Sequence, residues 1–160
     1  MGILKLLWLG PPVIEYDGHP FRLEMRKTLA LLAYLSLSPQ SPTRETLASL
    51  FWSEHDQVHA LASLRRSLFS LARSLPPGFL EANREKIGLR RADTLKVDVE
   101  EFREKLAFAR GHPHPPDRIC QDCLSSLEQA VAFYKGDFFE GFNLKDSPGF
   151  DEWQRFQRGF

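Results

Sequence analysis

Residues 56–75 carry the clearest hydrophobic pattern in the chain. Five leucines follow each other at steps of three or four residues: Leu61, Leu64, Leu68, Leu71 and Leu75. This spacing keeps side chains on one face of a helix. A second set recurs at the same steps: His59, Ser63, Arg66, Ser70 and Arg73. At about 100° per residue this second set lies within roughly 40° of His59, whereas the leucines centre near 160°. The pattern predicts an amphipathic helix with one cationic, polar face.

The residues before this helix predict a small sheet and two further helices. Short apolar runs within residues 3–23 are separated by Gly10-Pro11-Pro12 and by the hairpin signal Asp17-Gly18. Residues 25–38 are apolar almost all round and predict a buried helix. A loop of Pro and Ser then leads to Thr43, a suitable N-cap for a short second helix that closes near Trp52.

A charged hairpin follows the amphipathic helix. Pro76-Pro77-Gly78 ends the helix, and residues 79–83 and 87–91 predict two short strands around Arg84-Glu85-Lys86. The order of sheet, three helices and hairpin predicts an α+β fold. In this interpretation residues 1–97 form a winged helix-turn-helix with an N-terminal antiparallel sheet, residues 57–75 are its recognition helix, and the hairpin 79–91 is its C-terminal wing.

Residues 98–160 change in character and predict helices only. An acidic amphipathic helix begins at Asp98, and the stretch 111–116 is too rich in Gly and Pro for regular structure. A second helix is expected from about Cys120 to Tyr134, and another from Asp151 to Phe160. Helix pairs of this kind need neighbours to bury their apolar faces. We therefore expect residues 98–160 to begin an all-α domain whose remainder lies outside this chain.

Charge divides the chain at the same place. Residues 1–97 carry 13 Lys and Arg against 9 Asp and Glu, and residues 98–160 carry 8 against 12, so that net charges of +4 and −4 cancel. A mildly basic first part beside an acidic second part suggests two modules with different roles. The +4 excess is smaller than many DNA-binding domains have, and it leaves room for a winged helix that binds protein instead.

Composition and motifs narrow the class of protein. Two cysteines give no disulfide framework and fit a reducing cytoplasm. The apolar opening is too short, and is interrupted by Lys5, for a signal peptide or a membrane span. No phosphate-binding glycine loop, nucleophile elbow or zinc-protease motif occurs, so we do not expect an enzyme.

The polar face of the long helix supplies the candidate DNA contacts. Arg can bind guanine edges or phosphates and Ser hydroxyls can bind either, which suits the residues on the polar face. Arg65 lies off the centre of that face and is expected at a phosphate or a carboxylate. The wing tip and the start of the second helix add three candidate phosphate or groove contacts, namely Arg84, Lys86 and Arg44. The alternatives are an ordinary amphipathic surface helix, a neutral surface role for His59 and a solvated turn at the wing tip.

Four soft ligands cluster in the sequence HPHPPDRICQDC. They are His112, His114, Cys120 and Cys123. A Cys-x-x-Cys pair is a usual half of a zinc site, and a Pro-rich loop that leads into a helix could wrap the ion. Three interpretations stay open: a structural zinc site, ordinary packing of two helix residues, or a redox dithiol that lacks the usual βαβ context.

Several segments, in order, resemble one known family. The segments are LKLLWLG, DGHPFRL, KTLALLAYL, TRETLASLFW, HALASLRRSLFSL and VDVEEF, followed by AVAFYKGDFFEGF and DEWQRFQ. Together they are similar to the N-terminal half of the SARP family of bacterial transcriptional activators. That family joins an OmpR-type winged helix to a bacterial transcriptional activator domain, which is tetratricopeptide-like.

The resemblance implies a sequence-specific activator that binds double-stranded DNA. In the family, the helix corresponding to residues 57–75 enters the major groove, and its LRR triplet is Leu64-Arg65-Arg66 here. The segment HALAS before that triplet is less basic than the family's usual one. RNA polymerase is the further partner that the resemblance implies, and a second copy of the chain in a homodimer is the other partner considered. A different class of function, a protein-interaction module that no longer binds DNA, is the alternative.

Overall fold

A computed structural model describes residues 2–113 and 118–159. Within these residues, strands and helices are grouped by type along the chain, in an α+β arrangement. In chain order they are β1 (Leu4–Leu7), β2 (Val13–Tyr16), β3 (His19–Phe21), α1 (Arg26–Leu37), α2 (Arg44–Phe51), α3 (Gln57–Ser74), β4 (Leu80–Ala82), β5 (Ile87–Leu89), β6 (Leu95–Val97), α4 (Asp98–Gly111), α5 (Gln121–Phe133) and α6 (Pro148–Arg158).

The N-terminal sheet contains one strand that the sequence analysis did not predict. Its order is β3-β2-β1-β6. The β2–β3 hairpin turns through Asp17 (φ 51°) and Gly18 (φ 80°), which gives the positive φ values that a tight two-residue hairpin favours. β6 pairs parallel to β1 at the edge of the sheet, immediately before α4 begins. The sheet is therefore mixed, and the prediction of a purely antiparallel sheet is wrong at this strand, because a three-residue strand with a distant partner carries little local signal.

Helices α1, α2 and α3 form the core beside this sheet. α1 is buried on most of its surface, as its continuous apolar sequence predicts. The side chain of Thr43 caps α2 by accepting a hydrogen bond from the Thr46 amide, so the predicted N-cap is confirmed. The β4–β5 hairpin follows α3 and supplies Phe79, Ile87 and Leu89 to the same core. The arrangement of residues 4–97 is therefore winged-helix-like.

Residues 138–158 pack against the winged-helix part and share its core. The indole of Trp8 lies edge-on to Phe139, with ring centroids 5.1 Å apart. The Ser147 hydroxyl donates a 2.7 Å hydrogen bond to the carbonyl of Phe51 at the end of α2. The side-chain amide of Gln154 donates to the carbonyls of Phe139 and Phe142. A domain boundary between residues 97 and 98 stays a prediction, as does the tetratricopeptide-like character of the second part.

Helices α4 and α5 pack on each other in opposite directions. The Ser126 hydroxyl donates to the Lys105 carbonyl, and the Cys123 thiol lies beside the Ala109 carbonyl, so later residues of α5 meet earlier residues of α4. Gly111 is the last residue of α4, which therefore extends into the predicted loop. α6 begins at Pro148, a favourable first helical residue, three positions before the predicted start. Among residues 2–113 and 118–159, no helix has the length and apolar character needed to cross a membrane.

Candidate nucleic-acid interface

Helix α3 is held on the core by one face and exposed on the other. Leu64 and Leu71 are fully buried, and Leu68 and Ala60 nearly so. The helix begins at an N-cap, Asp56, whose carboxylate accepts a 2.8 Å hydrogen bond from the His59 amide. These contacts fix which side chains face solvent.

The predicted polar stripe lies on the solvent side, but its members differ in exposure. His59, Arg66 and Arg73 are exposed, whereas Ser63 and Ser70 are half-buried. The guanidinium of Arg66 donates a 3.0 Å hydrogen bond to the Ser63 hydroxyl. The two residues therefore form one hydrogen-bonding unit, in which Ser63 orients the arginine.

The imidazole of His59 is held at the start of α3. Its Nδ1 lies 2.7 Å from the Asp56 carboxylate, which already accepts from the His59 backbone. These two hydrogen bonds lower the pKa of Asp56 below its ordinary value, so the carboxylate stays ionised at neutral pH. Because a carboxylate only accepts, the Nδ1 of His59 is the donor in this contact.

Three further residues widen the exposed face beyond the predicted stripe. Arg65 is exposed, and so are Val58 (75%) and Phe69 (65%), which the sequence analysis did not single out. The guanidinium carbon of Arg73 lies 5.6 Å from the centre of the Phe69 ring, within the range of a cation–π contact. On the helical wheel Val58 and Phe69 fall roughly 80–100° from His59, on the side of Arg65. Their wheel positions could have identified them, but their apolar character pointed to the core.

The wing is fixed to the start of α2. Backbone hydrogen bonds join Arg44 to Glu85 (2.9 Å) and Ile87 to Pro42 (3.0 Å). At the tip, the Asn83 side chain accepts from the amides of Glu85 and Lys86, each at 2.8 Å. This turn leaves Arg84 and Lys86 exposed. Both predicted wing cations therefore extend from an ordered turn.

Arg44 supports the wing directly. Its Nε donates a 2.9 Å hydrogen bond to the carbonyl of Asn83, so the side chain connects α2 to the wing tip. A phosphate contact by Arg44, which the sequence analysis proposed, stays a prediction.

Arg91, just after β5, has a structural role that the sequence analysis did not foresee. One terminal nitrogen donates to the carbonyls of Leu35 and Ser36 at the end of α1, and the other is 3.1 Å from the Glu100 carboxylate. A cation at a helix C-terminus satisfies unpaired carbonyls and the helix dipole. Arg91 therefore joins α1 to α4 and is engaged away from the candidate interface.

Three of the four predicted metal ligands come together at the α4–α5 connection. Donor atoms of His112, Cys120 and Cys123 all lie within 4.8 Å of one another, and both cysteines are free thiols. His114 lies outside the described residues. Burial raises the pKa of the Cys123 thiol to about 11, and the hydrogen bond with the Cys120 side chain acts in the same direction.

Comparison with known proteins supports the fold. No protein-family model matches the sequence, and no curated protein matches it. Among solved structures, Mycobacterium tuberculosis EmbR in complex with a low affinity phosphopeptide matches with a TM-score of 0.73 at 20% sequence identity. The match covers 98% of this chain and 42% of that chain, so this chain spans about two fifths of the EmbR chain. It shares the winged-helix-like α+β fold of that part of EmbR.

Proposed function

We propose that this chain is the DNA-binding part of a transcriptional activator of the SARP type. The observation that carries the proposal is the exposed cationic face of α3, where Arg65, Arg66 and Arg73 project from a helix whose other face lies in the core. EmbR, whose fold the chain shares, is a SARP-family regulator. α3 would enter the major groove, and the wing would contact the flanking backbone.

In this proposal α3 contacts the bases and the wing contacts the phosphates. Arginine can form two parallel hydrogen bonds with a guanine edge, and Ser63 already orients Arg66. Phe69 and Val58 offer apolar contacts for thymine methyl groups. Arg84 and Lys86 would neutralise phosphates, which adds affinity without sequence preference. RNA polymerase contact, homodimer formation and a cytoplasmic location belong to the same proposal.

A binding titration across salt concentrations tests the function. The 160-residue chain is first used to select fragments from a random duplex pool, and the selected duplex is then compared with a scrambled one of equal composition. We expect the logarithm of the affinity to fall linearly with the logarithm of the salt concentration, with a slope of about −4.5. The five exposed Lys and Arg side chains of α3 and the wing tip would each neutralise one phosphate, at about −0.9 per phosphate. The selected duplex should bind more tightly at every salt concentration. No measurable affinity for either duplex in low salt would contradict the proposal.

Exposed apolar side chains favour the second candidate function, a protein-interaction module. Val58 and Phe69 are largely solvent-exposed on the outer face of α3, where an apolar pair would suit a partner helix or groove. The chain would then bind its partner through α3 without any salt-dependent affinity for duplexes. The same titration distinguishes the two candidates.

The wing makes a separate, smaller prediction. Replacing Arg84 and Lys86 together by Ala should reduce the salt slope by about 2 and weaken selected and scrambled duplexes equally, because phosphate contacts carry no sequence information. The charge-matched control replaces Arg110 of α4 and Arg155 of α6, which are exposed outside the proposed interface. If the wing variant kept the parent slope, the wing would not contact the backbone.

A further inference from the structure

We propose that the connection between α4 and α5 binds a zinc ion through His112, Cys120 and Cys123. This inference concerns a site away from the candidate DNA-binding face and does not depend on it. It rests on three soft donor atoms that two helix ends bring together.

The three ligands come from positions that the fold fixes. His112 is the C-cap of α4, Cys120 is the N-cap of α5, and Cys123 lies in the first turn of α5. The Nδ1 of His112 is 3.3 Å from the Cys120 sulfur. In a tetrahedral zinc site, neighbouring sulfur and nitrogen ligands are roughly 3.5–3.8 Å apart. Small side-chain rotations would therefore suffice to bring the cluster to that geometry.

The surroundings favour a thiolate-bound cation. The Cys123 backbone amide donates a 3.3 Å hydrogen bond to the Cys120 sulfur, so this sulfur lies at the positive end of the α5 dipole. Cys123 is only 1% exposed, and the other two ligands are partly exposed. The cluster thus has a closed side within the helix pair and an open side through which an ion can enter.

The donor set selects the metal. Two thiolates and an imidazole are soft or intermediate ligands, which bind zinc in preference to magnesium or calcium. These two hard cations require oxygen ligands. A tetrahedral ion needs a fourth ligand, and solvent would complete the coordination on the open side.

The bound ion would hold the ends of α4 and α5 together. The chain leaves α4 at His112 and enters α5 after Cys120, and elsewhere the Ser126–Lys105 hydrogen bond helps to join the two helices. A metal bridge across this connection adds binding free energy to the folded state alone, because the unfolded chain does not assemble the site.

Metal analysis of the full chain tests the site. Protein purified with a phosphine reductant and no chelator should contain about one zinc per chain. After stripping, cobalt should bind with a thiolate charge-transfer band and intense visible bands typical of tetrahedral coordination. Chelator should also lower the Tm of the parent protein, since ligand loss destabilises the folded state.

Variants distinguish this site from surface metal binding. Cys120→Ser and His112→Asn should each weaken cobalt binding at least about tenfold, while His55→Asn, an exposed histidine elsewhere, should bind as the parent does. Cys120 is half-buried, so its replacement should leave the fold intact, which circular dichroism checks. Zinc below about a tenth of an equivalent after reconstitution, a spectrum without the thiolate band, or cobalt binding unaffected by Cys120→Ser would each overturn the proposal.

Discussion

Asp98→Ala should lower the free energy of unfolding by about 3 kcal/mol, the largest stability loss that we expect from a single polar substitution. The Asp98 carboxylate is 4% exposed and accepts hydrogen bonds from the amides of Trp8 (2.8 Å) and Leu9 (3.0 Å). Alanine would leave both buried amides without an acceptor, at about 1–3 kcal/mol each. Urea unfolding followed by tryptophan fluorescence measures the loss, and the m-value should stay unchanged.

Asp98→Asn separates the hydrogen bonds from the charge. The amide can accept one of the two backbone hydrogen bonds but presents N–H to the other, so we expect about half of the alanine effect. Asp93→Ala is the matched control, because Asp93 is exposed and close in sequence; its effect should stay within about 0.5 kcal/mol. Equal stability of Asp98→Ala and Asp93→Ala would show that the buried carboxylate does not hold β1 to α4.

The contribution of Asp98 to the free energy of unfolding should also depend on pH. Burial raises the pKa of Asp98 above its ordinary value despite the hydrogen bonds from Trp8 and Leu9. Between the ordinary and the raised pKa the folded state binds more protons than the unfolded state, so the contribution of Asp98 to stability falls as pH rises through this window. The lowered pKa of Asp56 acts in the opposite sense: its stabilisation is lost as the pH falls. The difference between the parent and Asp98→Asn isolates Asp98 and should decrease with rising pH; a constant difference would refute this assignment.

Asp98 also illustrates which part of the fold the sequence could not predict. An acid at the start of an acidic helix is ordinarily explained by the helix dipole and by solvation. Its actual role depends on β6, a strand of three residues that follows a polar turn and pairs with the first strand of the chain. Short strands with distant partners carry little local signal. By contrast, Asp17-Gly18 and Thr43 act through their own neighbours, and their predicted roles are confirmed.

The sequence predicts the helix that carries the candidate interface, but not which part of that helix's surface is exposed to solvent. Leucine spacing identifies which side of α3 meets the core, and Leu64 and Leu71 are indeed fully buried. Periodicity alone cannot give the width of the buried face, which here includes Ser67 and partly covers Ser63 and Ser70. The exposed face is therefore shifted towards Arg65 and Phe69. Neighbouring elements set that shift, and they are known only once the chain is folded.

The sequence also identifies only some of the proposed metal ligands. Residue type and the Cys-x-x-Cys spacing identify Cys120 and Cys123, because both lie in one local segment. The association of His112 with them depends on where α4 ends and on how α5 returns along it. Sequence therefore predicts the kind of donor, whereas the geometry of the site requires the helix pair.

The recognition helix makes the prediction with the largest effect on function. Replacing Arg66 and Arg73 together by Ala should weaken binding to the selected duplex about 100-fold, since each arginine that reaches a base edge or a phosphate contributes about 1–3 kcal/mol. Both side chains are exposed and alanine favours helix, so the free energy of unfolding should change by less than about 1 kcal/mol. Fluorescence anisotropy with the selected duplex measures the loss, and urea unfolding checks the fold.

Comparison of duplexes then distinguishes base contact from simple charge. The Arg110→Ala, Arg155→Ala control loses the same charge outside the proposed interface and should retain nearly the parent affinity. If α3 reads bases, the Arg66, Arg73 variant loses more affinity for the selected duplex than for the scrambled one, because only the selected duplex offers the matching edges. Arg66→Lys should reproduce part of this selective loss, since lysine keeps the charge but lacks the planar fork that binds two acceptors. A double variant that bound the selected duplex as tightly as the parent would remove α3 from the interface and leave the exposed pair Val58 and Phe69 as the basis of a protein contact.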